Sequence, residues 1–260
     1  MNATDKHDFN SDADKCGEGA MPEIRIGCSG FNYSDWKGRF YPEGLSQRRW
    51  LQHYCTVFSA VELNVTFYRL PLHSTFDKWY QETPDNFAFS LKGSRFITHV
   101  KRLLDPEAPL DRFFDGALRL KEKLRVVLWQ FPPRFNIERE RLARFLRLLS
   151  KYPVRHTLEF RNEGWIVQDV LDICIDNGIS LCMADWPEFI DELPVTADFV
   201  YIRRHGEAGR YDTCYSKAAL KRDAKRIKGY LRDGNDVYIY FNNDAFGYAP
   251  QNASELLEML

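Results

Sequence analysis

From Glu23 onward, short runs of β-branched and aromatic residues alternate with stretches whose apolar positions recur at helical spacing, which predicts a parallel sheet with helical crossovers. Eight runs read as strands: IRIGCS from Ile24, AVELNVTFY from Ala60, FAFSLK from Phe87, RVVLWQF from Arg125, HTLEF from His156, ISLCMAD from Ile179, FVYIRRH from Phe199 and VYIYFNN from Val237. Helical stripes fall between them at Trp50, Leu51, Tyr54 and Phe58; at Leu142, Phe145, Leu146 and Leu149; at Val167, Val170, Leu171 and Cys174; and at Leu220, Ala224, Ile227 and Leu231. Asn136 reads as the N-cap of the second stripe, and Gly178 and Gly234 follow the last two, where a left-handed residue is wanted. Eight such units within residues 23–260 predict a single domain of the α/β class, an irregular (β/α)8 TIM-like barrel, a fold that takes about 250 residues. The connection from Trp186 to Asp198 is too short and proline-bearing for a full helix, so the irregularity is expected there.

Side chains alternate faces along a strand. In the second run Val61, Leu63, Val65 and Phe67 share one face and Glu62, Asn64, Thr66 and Tyr68 the other. The apolar set belongs against helices, so the polar set points into the barrel. The same division recurs in Arg25, Gly27 and Ser29; in Ser90 and Lys92; in Gln130; in Thr157, Glu159 and Arg161; in Tyr201, Arg203 and His205; and in Tyr238, Tyr240 and Asn242. Barrel interiors are ordinarily packed with Val, Ile and Leu, and an unpaired charge there costs several kcal/mol. These charges must therefore pair, stay wet or hold a ligand. Most sit near the C-terminal ends of their strands, the end at which barrel enzymes place their sites. Arg25, Lys92, Arg161 and Arg203 against Glu62 and Glu159 leave two positive charges in excess, which favours a phosphate or carboxylate ligand.

Charge and composition narrow the class further. The chain of 260 residues has 36 Lys+Arg against 37 Asp+Glu and 44% hydrophobic residues, which describes a globular protein and excludes a polycation. Residues 1–22 hold five acids, two bases and almost no large apolar side chain, and read as a disordered acidic tail. No apolar run approaches the roughly 20 residues that cross a bilayer, and the first residues carry no apolar signal segment, so a cytoplasmic protein with no membrane contact is expected. The six cysteines show no C-x-x-C pair and read as free thiols. No phosphate-binding glycine loop follows any strand.

Aromatic residues make up 15% of the chain, and several fall in the loops expected at the strand ends. Trp36, Tyr68, Trp165 and Tyr211 offer flat surfaces for a base or sugar beside the cationic groups.

The segments CSGFNYSDWKGRFYP (28–42), VELNVTFYRLP (61–71), FSLKGSRFITH (89–99), LWQFPPRF (128–135), LEFRNEGW (158–165), VYIRRHG (200–206) and VYIYFNND (237–244) resemble the YecE-like family, also called domain of unknown function 72. The resemblance spans roughly residues 24–258 and implies an irregular (β/α)8 barrel, but it carries over no reaction. Residues matching its motifs include Ser29, Trp36, Glu62, Asn64, Tyr68, Lys92, His99, Gln130, Glu159, Arg161, Trp165, Arg203, His205, Asn242 and Asn243. Cys28 and Phe31 depart from the usual residues of the first motif. Asn162 stands where a His is common and Arg204 where a Leu is usual, so any role of that His is lost here.

Three functions fit these residues. An enzyme acting on a phosphorylated substrate, such as a nucleotide, phosphodiester or sugar phosphate, would use Glu62 or Glu159 as base and His99 or His205 as proton donor or metal ligand. Lys92, Arg161 and Arg203 would clamp developing negative charge. Arg25, Ser29, Trp36, Asn64, Tyr68, Gln130, Trp165, Asn242 and Asn243 complete the candidate binding set. His99, Glu159, Asp185, His205 and Asp244 form a weak divalent-metal set, since no H-E-x-x-H or close His pair is present. A glycosidase built on Glu62 and Glu159 is disfavoured, because neighbouring Arg and Lys would make either a poor general acid. The third function is a non-catalytic module that binds nucleic acid or a small anion. The basic run from Lys217 to Lys228 reads most simply as the solvated face of its helix.

Overall fold

The computed structural model describes residues 21–185 and 192–260. Eight parallel strands close a barrel in sequence order. They are β1 (Ile24–Cys28), β2 (Ala60–Leu63), β3 (Ala88–Lys92), β4 (Leu124–Gln130), β5 (Arg155–Glu159), β6 (Ser180–Ala184), β7 (Phe199–Arg204) and β8 (Asp236–Phe241), and β8 pairs back onto β1. The helices are α1 (Trp50–Tyr54), α2 (Val65–Tyr68), α3 (His73–Glu82), α4 (Glu107–Ala117), α5 (Arg139–Leu149), α6 (Gln168–Asp176), α7 (Lys217–Arg232) and α8 (Tyr248–Leu257). The acidic tail expected over 1–22 lies, but for its last two residues, outside the described residues. So do residues 186–191 of the connection after β6.

All eight expected strands are present, each within a few residues of its expected bounds except the second. There β2 stops at Leu63 and the chain turns into α2, so residues 64–68 are not strand. Thr66 is the physical reason: its hydroxyl lies against the Leu63 carbonyl at 3.2 Å and the Lys92 carbonyl at 2.6 Å, tying a helical turn across the ends of β2 and β3. The period-2 alternation breaks at that point, and Phe67 is not placed by the face of the strand. Asn136 does not cap α5, which starts at Arg139 after an uncapped Glu138. Gly178 and Gly234 do take the left-handed conformation after α6 and α7, with φ of +62° and +87°.

Alternation sorts the strand residues into two cores. Val61, Leu63, Phe89, Leu91, Val127, Trp129 and Leu158 face outward and are buried under the helices. Inside the barrel lie Ala60, Ala88, Val126, Leu128, Cys182, Ala184, Phe199, Tyr201, Tyr238 and Tyr240. Alanines on β2 and β3 leave room for tyrosines from β7 and β8, whose hydroxyls find partners: Ser90 Oγ donates to the Tyr240 hydroxyl at 2.9 Å. Charged side chains take over above this layer, toward the C-terminal ends.

Arg204 alternates outward from β7 and forms a two-pronged pair with Asp223 of α7, Nε to Oδ2 at 2.7 Å and Nη2 to Oδ1 at 2.5 Å. The position where a Leu is usual thus holds a buried ion pair that ties strand to helix. Among the described residues no helix is long and apolar enough to cross a membrane.

Candidate functional site

The inner faces of β2, β5 and β7 each place one charged side chain at the same height. Arg203 of β7 sits between Glu62 of β2 and Glu159 of β5, and all three are almost wholly buried. Arg203 Nη2 donates to Glu62 Oε1 at 2.8 Å, Nε to Glu62 Oε2 at 3.0 Å, and Nη1 to Glu159 Oε2 at 2.8 Å. Ser29 and Tyr201 hydroxyls each donate to Glu62 at 2.7 Å, and Gln130 Nε2 donates to Glu159 Oε1 at 2.9 Å. Arg161, two residues past β5, pairs with the same Glu159 oxygen. Burial would raise both carboxyls, but Arg203 outweighs it at Glu62, as Arg161, Arg203 and Lys92 do at Glu159, and both stay below the usual carboxylate range.

His205 closes this layer. Its Nε2 faces Arg203 Nη1 at 3.1 Å and Arg161 Nη2 at 3.4 Å, groups that only donate, so Nε2 carries the lone pair. Nδ1 then carries the proton and donates to Asp185 Oδ1 at 3.2 Å, while Asp185 Oδ2 accepts from the Tyr215 hydroxyl. Burial and Arg203 lower the His205 pKa against the opposing pull of Asp185, which keeps the ring neutral. Gly206 makes the turn possible: its φ is +96°, a Cβ there would lie 2.0 Å from the Arg210 carbonyl, and its N–H donates to the Tyr215 hydroxyl at 2.7 Å.

Above the charged layer opens a cleft of about 610 Å³, lined by residues that follow seven of the eight strands. Tyr33, Asn64, Phe67, Tyr68, Lys92, Arg95, His99, Gln130, Pro133, Arg161, Arg203, Tyr211, Asn242 and Asp244 form its wall and floor. Lys92, only 8% exposed, reaches into it from the end of β3 with Nζ 4.3 Å from the centre of the Phe67 ring. Among the described residues its ammonium has no carboxylate partner. Burial, then Arg203, lower its pKa to about 8. His99 stands on the turn Phe96–Val100 with Nδ1 2.9 Å from the Thr98 hydroxyl, and burial with Lys92 and Arg95 lowers its pKa to about 4. Asp244 is raised by burial, against a hydrogen bond from Tyr33.

The cleft therefore gathers ten of the residues singled out in the sequence: Asn64, Tyr68, Lys92, His99, Gln130, Arg161, Arg203, Tyr211, Asn242 and Asp244. Glu62, Glu159, Ser29 and His205 lie beneath it, covered by or bonded to Arg203. Four expected ligand contacts lie elsewhere. Arg25 is near the start of β1, at the opposite end of the barrel, where it pairs with Glu23 and donates to the Asn86 carbonyl at 2.8 Å. Trp36 is fully buried and its indole N–H donates to the Asp244 carbonyl at 2.8 Å. Trp165 is likewise buried, stacked on Phe160 at 5.0 Å and donating to the Phe135 carbonyl. Asn243 turns away from the cleft to the Thr213 carbonyl and Asn252, at 2.9 Å each. In each case the flat or polar group serves a neighbouring loop or helix rather than a ligand.

Tyr33, Phe67, Arg95 and Pro133 also line the cleft, and no spacing in the sequence marks them for it. Their only signal is position, a few residues past a strand end. Asn162 caps its own turn by accepting from the Gly164 N–H at 2.9 Å and donates to the Pro133 carbonyl, so the position common to a His serves loop structure here. His99, Glu159, Asp185, His205 and Asp244 do not converge: among the described residues no three His, Cys, Asp or Glu side chains come together as a metal would need. His205 Nε2 in particular already faces two guanidiniums.

The family model described as "Protein of unknown function DUF72" matches residues 25–260. The UPF0759 protein YunF of Bacillus subtilis is 27% identical, covering 91% of this chain and 94% of that protein. The crystal structure of a DUF72 family protein from Thermotoga maritima superposes with a TM-score of 0.79 at 31% identity, covering 91% of this chain and 98% of that one. A D-psicose 3-epimerase from Clostridium cellulolyticum, solved with D-tagatose, gives a TM-score of 0.56 at 11% identity over 90% of this chain and 97% of its own, a likeness of barrel alone.

Proposed function

The chain belongs to the DUF72 family of proteins of unknown function, and from that premise we propose that its cleft binds a small organic anion, a phosphoryl or carboxylate group held between Lys92 and the Arg161 and Arg203 guanidiniums. The observation that carries this reading is Lys92. A lysine that is 8% exposed, opens on a cleft and makes no ion pair among the described residues feels Glu159 and Glu62 only from beneath, where both are already paired with Arg203, so an anion entering the cleft would be its direct partner. Of the charged groups lining the cleft, Lys92, Arg95, Arg161 and Arg203 are cationic and Asp244 is the one carboxylate. Phe67, Tyr68 and Tyr211 offer ring faces for the organic part of the ligand.

Binding is the function this geometry favours over hydrolysis by Glu62 or Glu159. Both acids are saturated with donors and held ionised beneath Arg203, so neither is poised to give or take a proton at the mouth. Asp244 is the one carboxyl that borders the cleft, and burial raises its pKa above the usual aspartate value. We place this activity in the cytoplasm, where the free cysteines of the described residues persist reduced.

Thermal stability measured against inorganic phosphate, a nucleoside monophosphate, a sugar phosphate and a short single-stranded oligonucleotide tests the proposal. A ligand at a hundredfold excess over its Kd should add about 2.7 kcal/mol, several degrees in Tm. Lys92→Met should abolish the shift, and Arg25→Ala, at the far end of the barrel, should leave it within about twofold in affinity. No shift with any of the four compounds would overturn the proposal, and a shift with the oligonucleotide alone would reassign the cleft to strand ends of nucleic acid.

A further inference from the structure

We propose that Lys92 is an amine nucleophile that forms an imine with a carbonyl compound bearing an anionic group. The inference rests on the anion-binding reading of the same cleft and adds to it a covalent step. Three features of the geometry converge on it. The Lys92 side chain is held at the end of β3 with its nitrogen 4.3 Å from the centre of the Phe67 ring, whose face attracts the ammonium but cannot take its proton. Its tip opens on the cleft, so a carbonyl carbon has a path to it. The guanidiniums of Arg161 and Arg203, though paired with Glu159 and Glu62, line the same cleft and add positive potential there for an anionic group beside the carbonyl.

The groups around Lys92 set its protonation. Burial, Arg203 and Arg161 disfavour the ammonium, Glu159 and Glu62 favour it, and the balance lies at about 8. About one Lys92 side chain in ten is then the neutral amine at pH 7, against roughly one in 2,500 for an ordinary exposed lysine. Desolvation beside other cationic groups is a general way of activating a lysine amine.

In the step itself the neutral Nζ attacks the carbonyl carbon, a C–N bond forms, and the π electron pair moves to oxygen, which takes up a proton. The nitrogen gives up a proton, the carbinolamine hydroxyl takes up another, and the carbon–oxygen bond breaks so that water leaves and the nitrogen lone pair closes the protonated imine. Nothing is oxidised or reduced. Asp244, whose pKa burial raises, and His99, neutral at pH 7, border the cleft and are the groups available there to pass these protons.

Reductive trapping tests the step on the intact protein. Glyoxylate and, separately, uncharged propionaldehyde are added in limiting amount at pH 7 with cyanoborohydride, and the alkylated lysines are mapped by peptide mass spectrometry. Lys92 should carry roughly tenfold or more label than the average exposed lysine. It should react faster with glyoxylate than with propionaldehyde, and inorganic phosphate should slow the glyoxylate reaction. Label at Lys92 that is equal for the two aldehydes and indifferent to phosphate would sustain the imine and remove the anion site. Label spread over exposed lysines with none preferred at Lys92 would overturn the imine, while the phosphate-induced stability shift judges the anion site separately. Lys92→Arg, which keeps a cation and loses the nucleophile, should lose the trapped adduct.

Discussion

Arg203 donates to both oxygens of Glu62 inside the barrel, at 2.8 Å to one and 3.0 Å to the other, with the two side chains 1% and 0% exposed. That pair, extended through Arg203 to Glu159, is the floor on which the cleft stands. Its members satisfy one another, which is why the ligand-seeking charge of the site resides in Lys92 rather than in the glutamates.

Removing Arg203 should therefore unsettle the fold more than any single ligand contact. Arg203→Met leaves two buried carboxylates without their shared counter-ion, a loss of about 3–5 kcal/mol. Urea denaturation should show it, and adding Glu62→Gln to Arg203→Met should recover part of the loss. Equal stability of Arg203→Met and wild type would mean that the three charges do not depend on one another.

Acid should weaken the fold well before its carboxylates titrate. His156 is buried, its Nδ1 3.3 Å from the Trp129 indole nitrogen, and burial lowers its pKa to about 4. The folded value lies below the unfolded one, so between about pH 6.5 and 4 the unfolded chain takes up a proton that the folded chain refuses. Stability is full above pH 6.5 and falls as pH drops through that window, by up to about 3 kcal/mol for this residue. His205 and the half-buried His99 act in the same direction. Below about pH 4.5 the depressed Glu62 and Glu159 continue the loss. Chemical denaturation from pH 4 to 7 should show the slope in wild type and a shallower one in His156→Leu.

Trp165 should matter to stability and not to ligands. Trp165→Phe keeps most of the contact with Phe160 but strands the Phe135 carbonyl, which costs about 1–3 kcal/mol. Calorimetric titration with the ligand that shifts wild type should give an affinity within about twofold. A tenfold loss would return Trp165 to the binding surface.

The barrel was legible because alternation and strand count survive burial: Glu62, Glu159 and Arg203 fall on the inner faces that period-2 spacing assigns them. The cleft was half legible. Lys92, Gln130 and Arg161 lie in or next to strands, where spacing fixes direction, and they reach the site. Trp36 and Trp165 sit in loops, where spacing says nothing, and there the chemistry of an indole fits a plug as well as it fits a ligand platform. Strand alternation carried on past Leu63 places Phe67 outside. The Thr66 hydrogen bonds that end β2 cross to β3, a long-range contact that no local pattern encodes.

Lys92 should show stability sacrificed to a site. Its ammonium is buried without a carboxylate partner among the described residues, against the Phe67 ring, and a thioether of similar length fits the same space without the cost of desolvating a charge. Lys92→Met should therefore raise the stability of the unliganded protein, by about 1 kcal/mol or a few degrees in Tm, while it abolishes stabilisation by phosphate. The two measurements have opposite signs only if the lysine is held for a ligand. If the substitution destabilises the protein without ligand, the cation over Phe67 belongs to the fold's own support, and the anion site loses its principal residue.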